Sequence, residues 1–199
     1  MTEARKATFD DVPWLAQTLG RAFEDDPVFE WLLPDVRTRL NRITKLHALE
    51  LTHVFLRHGA TWTTPDRTGA AIWAPPGQWK VKTSEEIRHL PGLIGALGRR
   101  LPAGLRIFDH IAKVHPAEPH WYLAVLGTEP SHQGKGIGST LLRPILDRCD
   151  AELTPAYLES SKKENIAFYS RHGFEERGEI AVPNGPTVWP MWRDPRPGG

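Results

Sequence analysis

Residues 120–149 read HWYLAVLGTEPSHQGKGIGSTLLRPILDRC, and no other part of the chain restricts the fold as tightly. Residues 121–126 are an apolar run of strand length. Gly134, Gly136 and Gly138 crowd into the loop that follows. Ile137, Leu141, Leu142, Ile145, Leu146 and Cys149 then recur at helical spacing and give one apolar face. Pro144 falls inside that helix, removes a backbone donor and is expected to bend it near Thr140. A strand feeding a glycine-rich turn and a helix presents backbone amides to a phosphate.

The 199 residues suit a single domain that buries most of its apolar surface. A formal charge of +1 argues against nucleic acid or an anionic membrane as a general partner. Cys149 is the only cysteine, which excludes an intrachain disulfide and a cysteine metal cluster. Apolar runs stay short of the ~20 residues a membrane span needs, and no signal-peptide core is visible, so a cytoplasmic protein is expected. Some of the eight tryptophans are expected in the core and some along an apolar substrate site.

Taken in order, residues 4–8 suggest a short strand, and Asp10 or Asp11 caps a helix with Pro13 in its first turn. The acidic turn Glu24-Asp25-Asp26-Pro27 precedes one or two helical turns over 28–33. That turn reads equally as an amine-binding edge or a solvated corner. A longer helix is predicted over 38–58, ended by Gly59, with His47, His53 and His58 on different faces. Residues 60–64 and 69–74 read as strands. Residues 78–117 read as a helical insertion, with a capping box at Thr83 to Glu86 and an interruption at Pro91-Gly92. A strand follows over 155–159, then a short helix capped at Ser161 and stopped by Gly173. A hairpin turning at 183–186 closes the domain at residue 193, and residues 194–199 are expected to be a flexible tail.

Spacing separates the phosphate loops. A Walker loop ends in Gly-Lys-Ser/Thr, whereas here Lys135 precedes Gly136. A dinucleotide fingerprint needs Gly-x-Gly-x-x-Gly early in a βαβ unit, which is neither this spacing nor this place. Gln/Arg-x-x-Gly-x-Gly/Ala after a strand fits Gln133-Gly-Lys-Gly-Ile-Gly138 in full. Downstream stands Asn165-Ile-Ala-Phe-Tyr169, followed by Gly173-Phe174. Together these resemble the GNAT superfamily of N-acetyltransferases over residues 121–182. The Asp25-Asp-Pro27 turn, Trp73-Ala-Pro-Pro-Gly77, His120-Trp-Tyr122 and Trp189-Pro-Met-Trp-Arg193 look like the puromycin N-acetyltransferase-like branch.

The resemblance implies one α/β domain, residues 1–193, with a mixed, mostly antiparallel sheet of about seven strands. That sheet is splayed at its central parallel pair and carries helices on both faces. It implies acetyl-CoA as cosubstrate and no metal. Its pyrophosphate would sit on amides of Gln133, Gly134, Lys135, Gly136, Ile137, Gly138 and Ser139, where the helix dipole favours anions. Leu126, Gly127 and Thr128 would offer backbone groups to the pantetheine arm, with a Leu126 amide binding the oxyanion. Thr128 departs from the apolar residue more usual there. Asn165 would contact the pantetheine and Tyr169 would protonate the thiolate. Glu30, Asp26, His120 and Glu159 are candidates for the base, Glu30 first. The implied activity is acetyl transfer to a primary amine of a small molecule in a ternary complex. Acylation of a protein N-terminus or lysine, or a non-catalytic acetyl-CoA sensor, are the alternatives. Monomer and homodimer both stay open.

Overall fold

Two apolar surfaces on one sheet set the architecture of the computed structural model, which describes residues 3–80, 83–182 and 184–196. Among the described residues the strands are β1 (Arg5–Lys6), β2 (Thr61–Thr63), β3 (Gly69–Ala74), β4 (Trp121–Thr128), β5 (Ala156–Ser160), β6 (Glu175–Glu176), β7 (Ile180–Ala181) and β8 (Thr187–Arg193). Their order is β1-β2-β3-β4-β5-β8-β6, with β7 also pairing β8. Among the described residues only β4 and β5 run parallel; the other pairings are antiparallel.

The helices are α1 (Val12–Ala22), α2 (Pro27–Leu32), α3 (Val36–Glu50), α4 (Thr83–Leu97), α5 (Leu101–Val114), α6 (Ile137–Ala151) and α7 (Ile166–Arg171). On one face, Leu141, Leu142, Ile145 and Cys149 of α6 pack with Trp73, Trp121, Leu123 and Leu158. On the other, Leu15 and Leu19 of α1 pack with Ala70, Ile72 and Val125. Strand β3 is buried along its whole length because both faces are covered. A third cluster joins α2, α3 and α4 through Leu32, Leu33, Ile43 and Leu97.

Local chemistry sets the helix starts. Asp26 accepts from the Val28 and Phe29 amides to cap α2, and Asp35 accepts from the Arg37 amide to cap α3. Asp11 precedes α1 but does not cap it. Its buried carboxylate accepts from Arg5, Arg67 and the Thr8 amide, tying β1 to the β2–β3 turn.

Four expectations change. The helix expected over 38–58 ends as α at Glu50 and passes through a π-helical turn, Leu51–Phe55, and a 3-10 turn, Leu56–His58, before Gly59 at φ +61°. Pro91 does not interrupt α4, which runs on to Leu97. A proline removes one donor, and the neighbouring bonds carry the helix past it. Gly92 serves contact instead, since a Cβ there would lie 2.6 Å from Leu49 on α3. The capping box at 83–86 falls outside the residues whose side chains are described. Ser161 does not cap a helix either. Its hydroxyl donates to the Asp26 carboxylate, a stronger charge-assisted acceptor, and α7 starts only at Ile166. Lastly, Asp194 accepts from Trp192 Nε1 at 2.8 Å and the Arg196 amide donates to Asp150 at 2.7 Å, so the first residues past 193 are held.

Candidate active site

Strands β4 and β5 share only two rungs, Trp121–Ala156 and Tyr122–Tyr157, although they are eight and five residues long. Beyond the second rung they part, leaving a wedge-shaped gap inside the sheet. A bulge helps to open it. The β3–β4 register runs from Gly69–Thr128 to Ile72–Val125 and then shifts, so Trp73 pairs Leu123 and Ala124 is the extra residue. Trp121, Leu123 and Leu126 therefore meet the α6 face, while Tyr122, Ala124 and Val125 meet the α1 face. Leu126, Gly127 and Thr128 lie beyond this shift, along the gap.

The glycine loop stands at the open end. Gly134 and Gly136 adopt φ of +76° and +80°, a region other residues enter at a cost of roughly 1–2 kcal/mol. Gly136 is the residue before α6, so the Ile137, Gly138 and Ser139 amides begin the helix. Four residues of the loop are exposed, Gln133 to Gly136, and its shape is held from within. Gln133 Nε2 donates to the Thr128 carbonyl at 3.3 Å and Lys135 Nζ to the Ser131 carbonyl at 3.0 Å. Exposed amides at the N-terminus of a 15-residue helix are what a pyrophosphate needs.

Tyr169 is buried on α7 beside Phe168 and Phe174. Burial, then the nearby Asp26 charge, pushes its phenol well above the ordinary value. The group stays protonated at neutral pH, as a proton donor must. Asn165, one turn earlier, is exposed just before α7, and its side chain does not cap the helix. The α6–α7 junction is fastened by a 2.9 Å contact between Ser139 Oγ and His172 Nε2.

The α1 face of the gap carries the acidic turn. Asp26 is buried, and desolvation raises its pKa against hydrogen bonds from Ser161, Val28 and Phe29. Asp25 pairs with Lys162 at 2.7 Å, and Trp31 Nε1 donates to the Asn184 carbonyl in the β7–β8 turn. Helix α2 is thus joined both to the end of β5 and to the terminal hairpin. Glu30 is drawn away from this group. Its carboxylate meets Arg39 on α3 at 3.0 Å and its side chain is about half exposed.

Glu159 and His120, by contrast, come together with residues that no sequence motif marks. His115, in the loop before β4, reaches toward Glu159 and His120, while Trp79 stacks on its ring at 3.6 Å. Tyr122 and Tyr157 flank the group, and burial followed by the Glu159 charge pushes both phenols upward. The signal available in advance was weak: Pro116 and Pro119 bracket the turn that aims the two histidines. No group of three His, Cys, Asp or Glu among the described residues could hold a metal ion.

Residues 68–174 match the model of the acetyltransferase (GNAT) family. This spans more than half of the chain, and the chain belongs to that family, whose members use acetyl-CoA as cosubstrate. It is an acyltransferase of the N-acetyltransferase class. An uncharacterized N-acetyltransferase of Schizosaccharomyces pombe is 28% identical over 188 residues, spanning 86% of this chain and 73% of the relative. Among solved structures, a histone acetyltransferase HPA2 and related acetyltransferase from Corynebacterium glutamicum aligns with a TM-score of 0.75 and 26% identity, over 98% of both chains. A polyamine N-acetyltransferase of Drosophila melanogaster shares the fold alone, at a TM-score of 0.63 and 11% identity over 98% of this chain and 100% of that one. No described helix is long and apolar enough to cross a membrane.

Proposed function

We propose that this enzyme moves the acetyl group of acetyl-CoA to a primary amine of a small molecule, by direct attack within a ternary complex. The observation that carries the reading is the wedge between β4 and β5, with the glycine loop and the start of α6 following β4 and the buried Tyr169 on α7. In this reading the amides from Gln133 to Ser139 hold the pyrophosphate, with Gly134, Lys135, Gly136, Ile137 and Gly138 between them. Leu126, Gly127 and Thr128 line the pantetheine with backbone, and Leu126 N–H steadies the oxyanion. Tyr169 gives its proton to the departing thiolate, and Asn165 contacts the arm. The amine nitrogen forms the new C–N bond as the C–S bond breaks.

A small acceptor is favoured over a peptide by the contact between Trp31 and Asn184. It bridges α2 and the terminal hairpin at the gap's open end, where an extended chain would need an open trough. The bridging indole also suits an aromatic aminonucleoside, the substrate class of the puromycin N-acetyltransferase-like branch that the sequence resembles. Thiol release from acetyl-CoA tests this, using 2-phenylethylamine, spermidine and puromycin against an N-terminal peptide and a lysine peptide. Acetylated small amine by mass spectrometry supports the reading. Turnover confined to the peptides sinks it, as does binding without turnover.

A further inference from the structure

The group around Glu159 lies at the narrow end of the wedge, two residues past the last β4–β5 rung and on the α1 face. Its hydrogen bonds can be assigned one proton at a time. His120 Nδ1 is 2.6 Å from the Glu118 carbonyl, which only accepts, so His120 Nδ1 carries hydrogen and donates. A neutral His120 then offers Nε2 as an acceptor, and burial does hold this imidazole below its ordinary pKa. His115 Nε2 stands 2.9 Å from that nitrogen and must therefore be the donor. A neutral His115 is left with a bare Nδ1. This atom faces Glu159 Oε1 at 3.3 Å, and both side chains are more than nine-tenths buried.

Two lone-pair atoms facing each other under burial repel, and both are buried without a hydrogen-bond partner. One added proton at this junction turns repulsion into a charge-assisted bond. Tyr122 on β4 and Tyr157 on β5 are phenols held protonated, Glu50 on α3 adds a carboxylate near Tyr122, and Trp79 and Trp192 are apolar walls. At the far end, His120 borders a cavity of about 190 Å³ lined by Pro76, Trp79 and Glu118, at the opposite end of β4 from the glycine loop.

We propose that the Glu159–His115 pair is the proton acceptor for the incoming ammonium, with His120 and the cavity at Glu118 as its outlet to solvent. The proposal rests on the acetyl-transfer reading above. Protons balance along the path. The ammonium gives one proton to Glu159, directly or through a water, and becomes the free amine. That proton is the one the overall reaction releases: it leaves by transfer from His115 Nε2 to His120 Nε2 while His120 Nδ1–H passes to water at the cavity, and both rings then return to their starting tautomers. The second proton, lost from nitrogen after attack, replaces the one Tyr169 gives to the thiolate. Glu159 is then catalytic, and His115 and His120 are positioning residues that act through it.

The test is the pH profile of kcat/KM for the full chain with the best of the three small amines, beside acetyl-CoA affinity by calorimetry. Glu159→Gln is expected to lose about 10²-fold at pH 7. The deficit should shrink as pH rises toward the amine's own pKa, with acetyl-CoA affinity unchanged. His115→Gln should behave likewise and His120→Asn more mildly. Should Glu159→Gln not fold, His115→Gln is read by the same criterion. An unaltered profile in these variants overturns the proposal while leaving acetyl transfer intact. A deficit equal at every pH, or one accompanied by weakened acetyl-CoA binding, overturns it in favour of a structural role. A wild-type chain that acetylates no amine removes both readings together.

Discussion

In the proposed reading, the two strands that border the wedge contribute in different ways. Strand β4 and its loop supply backbone: the groups at Leu126 to Thr128, then the amides from Gln133 to Ser139. Strand β5 and its surroundings supply side chains: Glu159, Tyr157, Ser161 with Asp26, and Tyr169 beyond. Backbone chemistry tolerates substitution wherever the path of the chain survives. Side-chain chemistry is lost with a single atom. The β4 side should therefore fail through geometry and binding, and the β5 side through turnover.

The sharpest contrast is expected at Tyr169. Tyr169→Phe keeps the ring in its apolar site and removes the proposed proton donor, so kcat should fall about 10²-fold or more. Calorimetry should show acetyl-CoA affinity within about twofold of wild type. Equal losses in both quantities would break the division between the strands.

Next in size is the loop. Gly136→Val forces a branched side chain into φ +80° at the start of α6. A cost of about 1–2 kcal/mol corresponds to roughly a tenfold weaker hold on acetyl-CoA. Turnover at saturating cosubstrate should change little, and a drop in kcat instead would show that the loop also acts in the chemical step.

Away from the wedge, Asp11→Asn should cost about 2 kcal/mol in urea unfolding, because a buried carboxylate bonded to Arg5 and Arg67 loses its charge. Hydrogen bonding from Arg5, above all, holds this carboxyl below the usual range. A depressed folded-state pKa means the stabilisation is present at neutral pH and is lost as pH falls below about 4. The wild-type midpoint should drop over that interval and the variant's should drop less. The smallest effect is expected at Leu153, exposed and held at φ +54°. Leu153→Gly should raise stability by about 0.5 kcal/mol, since relieved strain outweighs the added freedom of the unfolded chain. Neither variant should alter turnover.

The same division explains how much could be read in advance. The β4 side was legible because its parts are consecutive: strand, glycines and helix fall within 30 residues, and a backbone cradle leaves its mark as spacing. Asn165 and Tyr169 could be singled out as a pair because they stand four residues apart, one just before α7 and one on it. The β5 side joins residues 26, 115, 120, 159 and 161, which only the folded topology brings together. His115 carries no motif, and Glu30 drew attention for a neighbouring tryptophan while Arg39, nine positions on, held its carboxylate. The continuous α4 and the π-helical end of the long helix were hidden for another reason. Contact between α3 and α4 at Gly92 overrode what proline and periodicity alone suggest.

The bulge at Ala124 has a consequence for solubility. By knocking β4 out of step with β5 it creates a bare sheet edge in the middle of a sheet instead of at its margin. Edges of this kind normally invite pairing with a foreign strand and hence fibril growth. Here α1 covers one face of the sheet and α6 the other, so a second folded chain has no flat edge to approach. A slender ligand carrying amides of its own can still thread the gap. The fold thus keeps a reactive edge ready for such a guest while denying it to other copies of itself.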